Sequence, residues 1–288
     1  MSLFLDSGAF SAFSLGIDID IYDYIEHIKQ NKKLFEVYAC LDVIGSAEKT
    51  YENQLIMEKE GLSPLITFHY GEDIEWLKFY MKKYDYIALG GVADGRDIRS
   101  VRTHLDKCWE ILTDDKGMPK LKVHGFGVTS ISLMRRYPWY SVDSTSWAVV
   151  SRMGSIIVPI KKNNEWVYNK NSSIIGVTAR SPYRNDKVKH YNNLSPMFKK
   201  IVDEYLEQKG YKIGKSEFID VDKDYKPKRG KEFWYKKEKK IERVIEPGVS
   251  NNHVLRNEIT ILYFQDLAKT MPEWPWPYKR KQKKGFLK

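Results

Sequence analysis

The chain has 288 residues, with 48 Lys and Arg against 38 Asp and Glu, a net charge of +10. Hydrophobic residues at 42% and aromatics at 14% suffice for a packed core and exclude wholesale disorder. No apolar run approaches the roughly 18–20 residues of a membrane span, and no basic leader-like segment is evident, so membrane and secretory readings are not expected. Cys40 and Cys108 are too few for a disulfide framework or a four-cysteine zinc site, and a reducing cytoplasm is the expected compartment.

The predicted elements alternate. Apolar runs at Ser2–Asp6, Phe35–Asp42, Pro64–Tyr70, Tyr86–Gly91, Lys120–Val128 and Trp139–Asp143 read as strands covered on both faces. Amphipathic stretches at Tyr22–Gln30, Ala47–Glu60, Asp73–Lys83 and Ile98–Leu112 read as the helices between them. This order predicts βαβ units and a parallel sheet. No GxGxxG opens a helix after the first strand, which removes support for a dinucleotide-type open sheet. Polar or Gly residues crowd the strand ends instead: Asp6-Ser7-Gly8, Asp42, His69, Gly90-Gly91, His124-Gly125 and Asp143-Ser144. In a (β/α) barrel those ends form one rim. The expected fold is therefore α/β, a TIM-like (β/α)8 barrel, regular or irregular, although only six strands are evident.

Beyond Asp143, Ile156–Ile160 and Ser173–Val177 flank a polar stretch with Asn163-Asn164 and read as a hairpin. They are either the last barrel strands or an insertion. Ser195–Gln208 reads as a helix capped by Ser195 with Pro196 at its first position, and Val254–Thr270 as another. Residues 1–225 hold 31 basic and 31 acidic residues, whereas residues 226–288 hold 17 and 7. The expected division is thus a barrel-type catalytic domain over 1–225, including the hairpin near 156–177, and a basic C-terminal region over 226–288. That region interleaves cations with Phe233, Trp234, Tyr235, Trp274, Trp276 and Tyr278. Such a pattern suits nucleic acid, through phosphate contacts and base stacking. Lys228, Arg229, Lys236, Lys237, Lys279, Arg280 and Lys281 are the candidate contacts. A solvated tail is the alternative.

Three aspartates, Asp6, Asp42 and Asp143, end apolar strands. A carboxylate placed there is partly desolvated and approachable, as a nucleophile or general base must be. Taken one at a time, each could instead cap the following helix.

The stretch Asp6-Ser7-Gly8-Ala9-Phe10-Ser11-Ala12-Phe13-Ser14-Leu15-Gly16 resembles the Asp-Ser-Gly signature of tRNA-guanine transglycosylases. Asp85–Gly95 is similar to their Ala-Val-Gly-Gly segment and Val123–Thr129 to their Met-Gly-Val-Gly-Thr segment. Ser141-Val142-Asp143-Ser144 falls where their nucleophile strand would follow. The order agrees across residues 2–150. The family's cysteine-rich zinc site is absent, and its Gln-Gly-Gly motif is replaced by His69-Tyr70-Gly71. These departures resemble the reduced, phage-type relatives that insert deazaguanine bases into DNA, for which the compartment would be the host cytoplasm.

The resemblance implies a pentosyltransferase that exchanges guanine in nucleic acid, DNA ahead of tRNA, for a free 7-deazaguanine such as preQ0 or a derivative. Asp143 would attack C1′ and expel guanine, and the new base would then release Asp143 from the sugar. Asp6 would be the general acid/base. Ser7, Gly8, Phe10, Asp42, His69, Gly90 and Gly91 would bind the base: Asp42 by its acceptor edge, Phe10 by stacking, the glycines by backbone groups, and His69 in place of the missing Gln. The target nucleotide would have to leave its stack. Trp147 is either a wedge or a packing residue. Arg152 and Arg180 are candidate phosphate contacts. Tyr137, Trp139 and Tyr140 read as packing, and both cysteines as buried. His104, His124 and His190 lack ligand spacing, so neither metal nor other cofactor is expected. A homo-oligomer or a partner subunit is compatible with the sequence. Two readings of other classes remain: a metal-dependent barrel enzyme on a small molecule, and a non-catalytic nucleic-acid-binding protein.

Overall fold

The computed structural model describes residues 3–92, 97–128, 130–169, 171–186, 189–229, 231–235 and 238–279. The chain divides into two compact units, Met1–Ser144 with Pro272–Lys288, and Thr145–Met271. The boundary at 225, drawn from charge, lies inside the second unit. Charge does not mark the division because its position along the chain carries no information about long-range packing.

The first unit is mixed α/β. Its elements run β1 (Leu3–Leu5), α1 (Ala9–Leu15), α2 (Ile21–Asn31), β2 (Phe35–Tyr38), α3 (Ala47–Lys59), β3 (Thr67–His69), α4 (Ile74–Lys83), β4 (Tyr86–Gly90), α5 (Ile98–Leu112), β5 (Lys122–Gly125), α6 (Ile131–Met134) and β6 (Ser141–Val142). Every strand pairing here is parallel. β1 joins β2, β3 through β6 form one ladder in sequence order, and a parallel bridge at Ala39 and Leu65 connects the two sets. The sheet curls strongly. Four strand spacings would separate β1 from β5 by about 19 Å if the sheet were flat, yet the ring of Phe4 on β1 stacks on His124 of β5 with centroids 4.4 Å apart. No ladder joins β6 back to β1 among the described residues.

Local chemistry explains the helices of this unit. Asp20, Ser46, Asp73 and Asp97 cap α2, α3, α4 and α5 by accepting backbone N–H bonds, each worth about 1 kcal/mol. Apolar stripes on α2 and α5 bury Ile25, Ile28, Leu105, Trp109 and Leu112 against the sheet. Cys40 and Cys108 are buried free thiols.

Residues 272–279 belong to this first unit. Trp274 donates its indole N–H to Pro138 O, 3.1 Å away, and the Tyr278 N–H bonds Gly117 O at 2.8 Å. The Tyr278 hydroxyl reaches Asp106 at 2.9 Å, on a carboxylate already bound by Arg136 and Tyr137. A Cβ on Gly117 would lie 2.4 Å from Tyr278 O, so only glycine allows this docking. Pro138 and Gly117 precede β6 and β5, so the segment lies at the end of the strands opposite the aspartates.

The second unit contains α7 (Ser146–Arg152), β7 (Ser155–Val158), β8 (Ile160–Lys162), β9 (Glu165–Val167), β10 (Ser173–Gly176), α8 (Pro196–Gln208), β11 (Lys215–Asp220), β12 (Glu232–Tyr235), β13 (Lys240–Glu246) and α9 (His253–Lys269). The expected hairpin is present. β8 pairs with β9 across Asn163-Asn164, both with positive φ, and β7 pairs with β10 below them. Both pairings are antiparallel, so these are not further strands of the parallel sheet. β11, β13 and β12 form a separate antiparallel sheet. Ile156, Val158, Ile175, Tyr205, Leu206 and Ile259 pack its core. Part of the supposed tail is therefore folded.

Candidate functional site

The three strand-end aspartates stand at the C-terminal ends of β1, β2 and β6. None caps the helix after it. Gly8 is the N-cap of α1, Ser46 of α3 and Thr145 of α7. The carboxylates are thus left to one another: Asp6 feels the negative charges of both Asp42 and Asp143. The three expected positions do converge on one rim.

Each carboxylate has its own environment. Asp42 is largely buried and held on both oxygens. Ser7 Oγ donates to Oδ1 at 2.8 Å, and His69 Nε2 lies 2.7 Å from Oδ2. The other ring nitrogen of His69 faces Glu72 Oε1 at 3.4 Å, and Glu72 also accepts the His69 N–H at 2.8 Å. Burial alone would lower the imidazole pKa, but the bonds to Asp42 and Glu72 outweigh it and raise it to about 9. His69 is then favoured as an imidazolium, with Nε2 on Asp42, which it orients, and Nδ1 facing Glu72 without a hydrogen bond.

Gly90 serves this pair. A Cβ there would lie 2.9 Å from His69 Cδ2 and 3.0 Å from Thr67 Cγ2. Its carbonyl accepts the Tyr70 N–H at 3.1 Å. Gly90 therefore makes room for the His69 ring, and its carbonyl already carries a bond within the rim. Gly91 has φ +72°, and a Cβ would sit 3.1 Å from Tyr70 N.

Asp6 and Asp143 are both more open than Asp42, and Asp143 has 43% of its side chain exposed. One oxygen is fixed: Oδ1 accepts the Gly127 N–H at 2.6 Å and lies 3.5 Å from His124 Nε2. Among the described residues the other oxygen accepts no hydrogen bond. Asp6 accepts a longer bond from Gly8 N at 3.3 Å. Desolvation on the crowded rim, then the charges of Asp42 and Asp143, raise its carboxyl above the ordinary value.

A cavity of about 170 Å³ opens between α1 and the β2–α3 loop, with Ala9, Phe13, Ile17, Leu41, Asp42 and Asn53 among its lining. Phe13 lines it together with Asp42. Phe10, the residue expected to stack on the base, projects from α1 and is 58% exposed. Ser7 is buried beneath the rim, and Gly8 adopts φ +75° to start α1.

The cationic candidates separate. Lys228 and Arg229 are exposed on the β11–β12 loop of the second unit. Lys279 is exposed and belongs to the first unit. Lys236, Lys237, Arg280 and Lys281 lie outside the described residues. Arg180 donates to Trp234 O at 2.7 Å and sits 4.2 Å over the Tyr235 ring. Arg152 is exposed and Trp147 half-buried, both on α7. Tyr137 and Trp139 are buried as expected; Tyr140 is exposed beneath Lys122, 4.5 Å from its ring centroid.

Two members of the site were not selected from sequence. Glu72 follows His69 by three residues, a spacing that signals nothing by itself. His124 was set aside for want of metal-ligand spacing, although it stands among the polar residues at the strand ends. Among the described residues, no group of three His, Cys, Asp or Glu side chains is arranged to hold a metal ion, and no helix is long and apolar enough to cross a membrane. No protein-family model, no curated protein and no solved structure matches the chain.

Proposed function

We propose that this protein is a guanine transglycosylase that exchanges guanine in nucleic acid, DNA in preference to tRNA, for a 7-deazaguanine base through a covalent Asp143–sugar intermediate. The curled parallel sheet is read as an irregular (β/α) barrel. One observation carries the reading: three uncapped carboxylates share a rim, each in a different environment. Two-step base exchange requires that difference.

Asp143, open on one oxygen, attacks C1′ of the target nucleoside. The guanine leaves as the C1′–N bond breaks and takes a proton from Asp6, whose raised pKa favours the protonated form needed at this step. The deazaguanine enters, gives a proton to Asp6, forms a new C1′–N bond and returns the electron pair to Asp143. Asp42, fixed by Ser7 and the His69 imidazolium, accepts hydrogen bonds from the amino and N–H edge of the base. Phe13 and the cavity beside Asp42 supply the apolar surface.

Nucleic-acid binding is assigned to the second unit. Thr145–Met271 contains 25 basic and 15 acidic residues, a net of +10, whereas the first unit has 23 of each. The exposed loop between β11 and β12 carries Lys223, Lys226, Lys228, Arg229 and Lys231. Buried Glu232 anchors it, accepting from Tyr225 OH at 2.8 Å, Lys228 N at 3.0 Å and Arg243 Nε at 3.1 Å. Phe218 and Phe233 are exposed on the adjoining sheet. Fixed cations beside exposed rings suit a phosphate backbone with unstacked bases.

The test offers the purified protein duplex DNA and tRNA with a labelled deazaguanine. Label should enter DNA and should not enter with Asp143→Asn, while that variant still binds the oligonucleotide. Labelling of tRNA alone would reverse the substrate assignment, and full activity of Asp143→Asn would remove the nucleophile.

A further inference from the structure

Behind Asp143 stands a buried polar chain that the two-step scheme does not use. His124 is 2% exposed, clasped by Phe4 at 4.4 Å and Phe126 at 4.6 Å between ring centroids. Its Nδ1 lies 2.8 Å from Ser141 Oγ, which lies 2.8 Å from Tyr86 OH. Its Nε2 is buried without a hydrogen-bond partner and points at Asp143 Oδ1, 3.5 Å away. A neutral imidazole has one N–H. A lone pair on Nε2 would repel the carboxylate, so the carboxylate selects the tautomer with the proton there. Nδ1 then accepts from Ser141, and Ser141 from Tyr86. Burial favours the neutral, donating form of the Tyr86 hydroxyl. Every donor in the chain points toward Asp143.

We infer that His124 is a positioning residue that makes Asp143 a good leaving group in the second half of the exchange, and this rests on Asp143 being the nucleophile. In that half-reaction the C1′–Oδ2 ester bond breaks. Its electron pair returns to the Asp143 carboxylate, the entering base forms the C1′–N bond, and its proton passes to Asp6. As the ester forms, charge leaves Oδ1; as it breaks, charge comes back. The Gly127 N–H at 2.6 Å and the His124 Nε2–H meet that returning charge on Oδ1. The 3.5 Å separation closes to a hydrogen bond at this stage, as catalytic contacts commonly tighten beyond the free enzyme. The same donors slightly restrain the first attack. Their effect is therefore to set the balance between forming and discharging the intermediate.

That balance distinguishes the role from mere structural support. Full-length protein is mixed with a labelled guanine oligonucleotide and deazaguanine, quenched in denaturant, and the protein-bound label is compared with base exchanged. His124→Phe fills the aromatic clasp but has no donor. It should raise the bound fraction severalfold while exchange falls about tenfold or more. His124→Gln, which restores an N–H near the Nε2 position, should recover much of the exchange. Tyr86→Phe, at the far end of the chain, should shift the ratio in the same direction by less. An unchanged ratio of bound label to exchange in both His124→Phe and Tyr86→Phe would overturn the inference while leaving the nucleophile in place, provided Asp143→Asn abolishes both signals. If Asp143→Asn still exchanges base, the underlying reading fails and His124 has no such role.

Discussion

His69 holds Asp42 with a 2.7 Å contact between Nε2 and Oδ2, and the two side chains come from different strand ends. The pair is a charge-neutral unit only with the proton on the imidazole. Glu72, on the opposite nitrogen, adds a second negative charge that favours that proton. The rim therefore contains its own cation, set against Asp42.

The pair makes stability pH-dependent in a definite direction. The His69 pKa is about 9 in the folded chain against an ordinary 6.5. Its contribution is full below pH 6.5 and is lost as pH rises through 9. The difference corresponds to roughly 3 kcal/mol as an order of magnitude. Urea unfolding at pH 6.5 and pH 9.5 should differ in that sense, and His69→Gln should remove most of the difference.

Gly90→Ala should destabilise the first unit by about 1–3 kcal/mol, since its methyl group meets the His69 ring and the Thr67 methyl. Displacing His69 also releases Asp42, so the half-saturating concentration of the deazaguanine should rise more than the maximal rate falls. Thermal melts and exchange kinetics on one preparation check both.

Asp6→Asn should abolish exchange while leaving oligonucleotide affinity within about twofold, because proton transfer is lost but the cations are untouched. In the unaltered protein the first half-reaction needs Asp6 protonated, so it falls as pH rises through the Asp6 pKa, and that limb should lie above the ordinary carboxylate value. A limb at the ordinary carboxylate value would assign it to another group.

Glu232→Gln separates fixed cations from charge alone. The substitution removes one negative charge, so a purely electrostatic tail would bind nucleic acid more tightly. Glu232 instead organises the loop through Tyr225, Lys228 and Arg243. Its replacement should weaken affinity severalfold and flatten the salt dependence. Filter binding at several salt concentrations checks this.

The parallel unit is legible because its apolar runs end in Asp, His or Gly, a pattern that period and composition both expose. The strand segments are shorter than the runs suggest. The strands themselves stop at Tyr38 and Gly125, and only single backbone bonds from Ala39, Cys40 and Phe126 continue the ladder beyond them. β12 and β13 are hidden by the lysines that flank them, which resemble a solvated tail until Glu232 and Glu242 find their partners. α1 is hidden because it is short, lies between two glycines, and leaves Phe10, Phe13 and Leu15 exposed rather than on a buried stripe. His124 was invisible as a site residue for a different reason. Its meaning depends on Ser141, Tyr86 and Asp143, which two other segments bring to it.

The strap at residues 272–279 gives the first unit a late completion date. Tyr278 meets Asp106 across 172 residues of chain, and the whole second unit is made between them. Closing so long a loop in an unfolded chain costs about 4–5 kcal/mol by ideal-chain scaling. Prior folding of Thr145–Met271 shortens the span that must be searched. During synthesis, residues 3–144 precede the second unit, and their last anchor, the Trp274–Tyr278 segment, is made only after it. A chain stopped at residue 271 should then resemble the unit before that anchor is made: strands formed, the Asp106 pocket empty of Tyr278, and the unit less resistant to protease than the full chain.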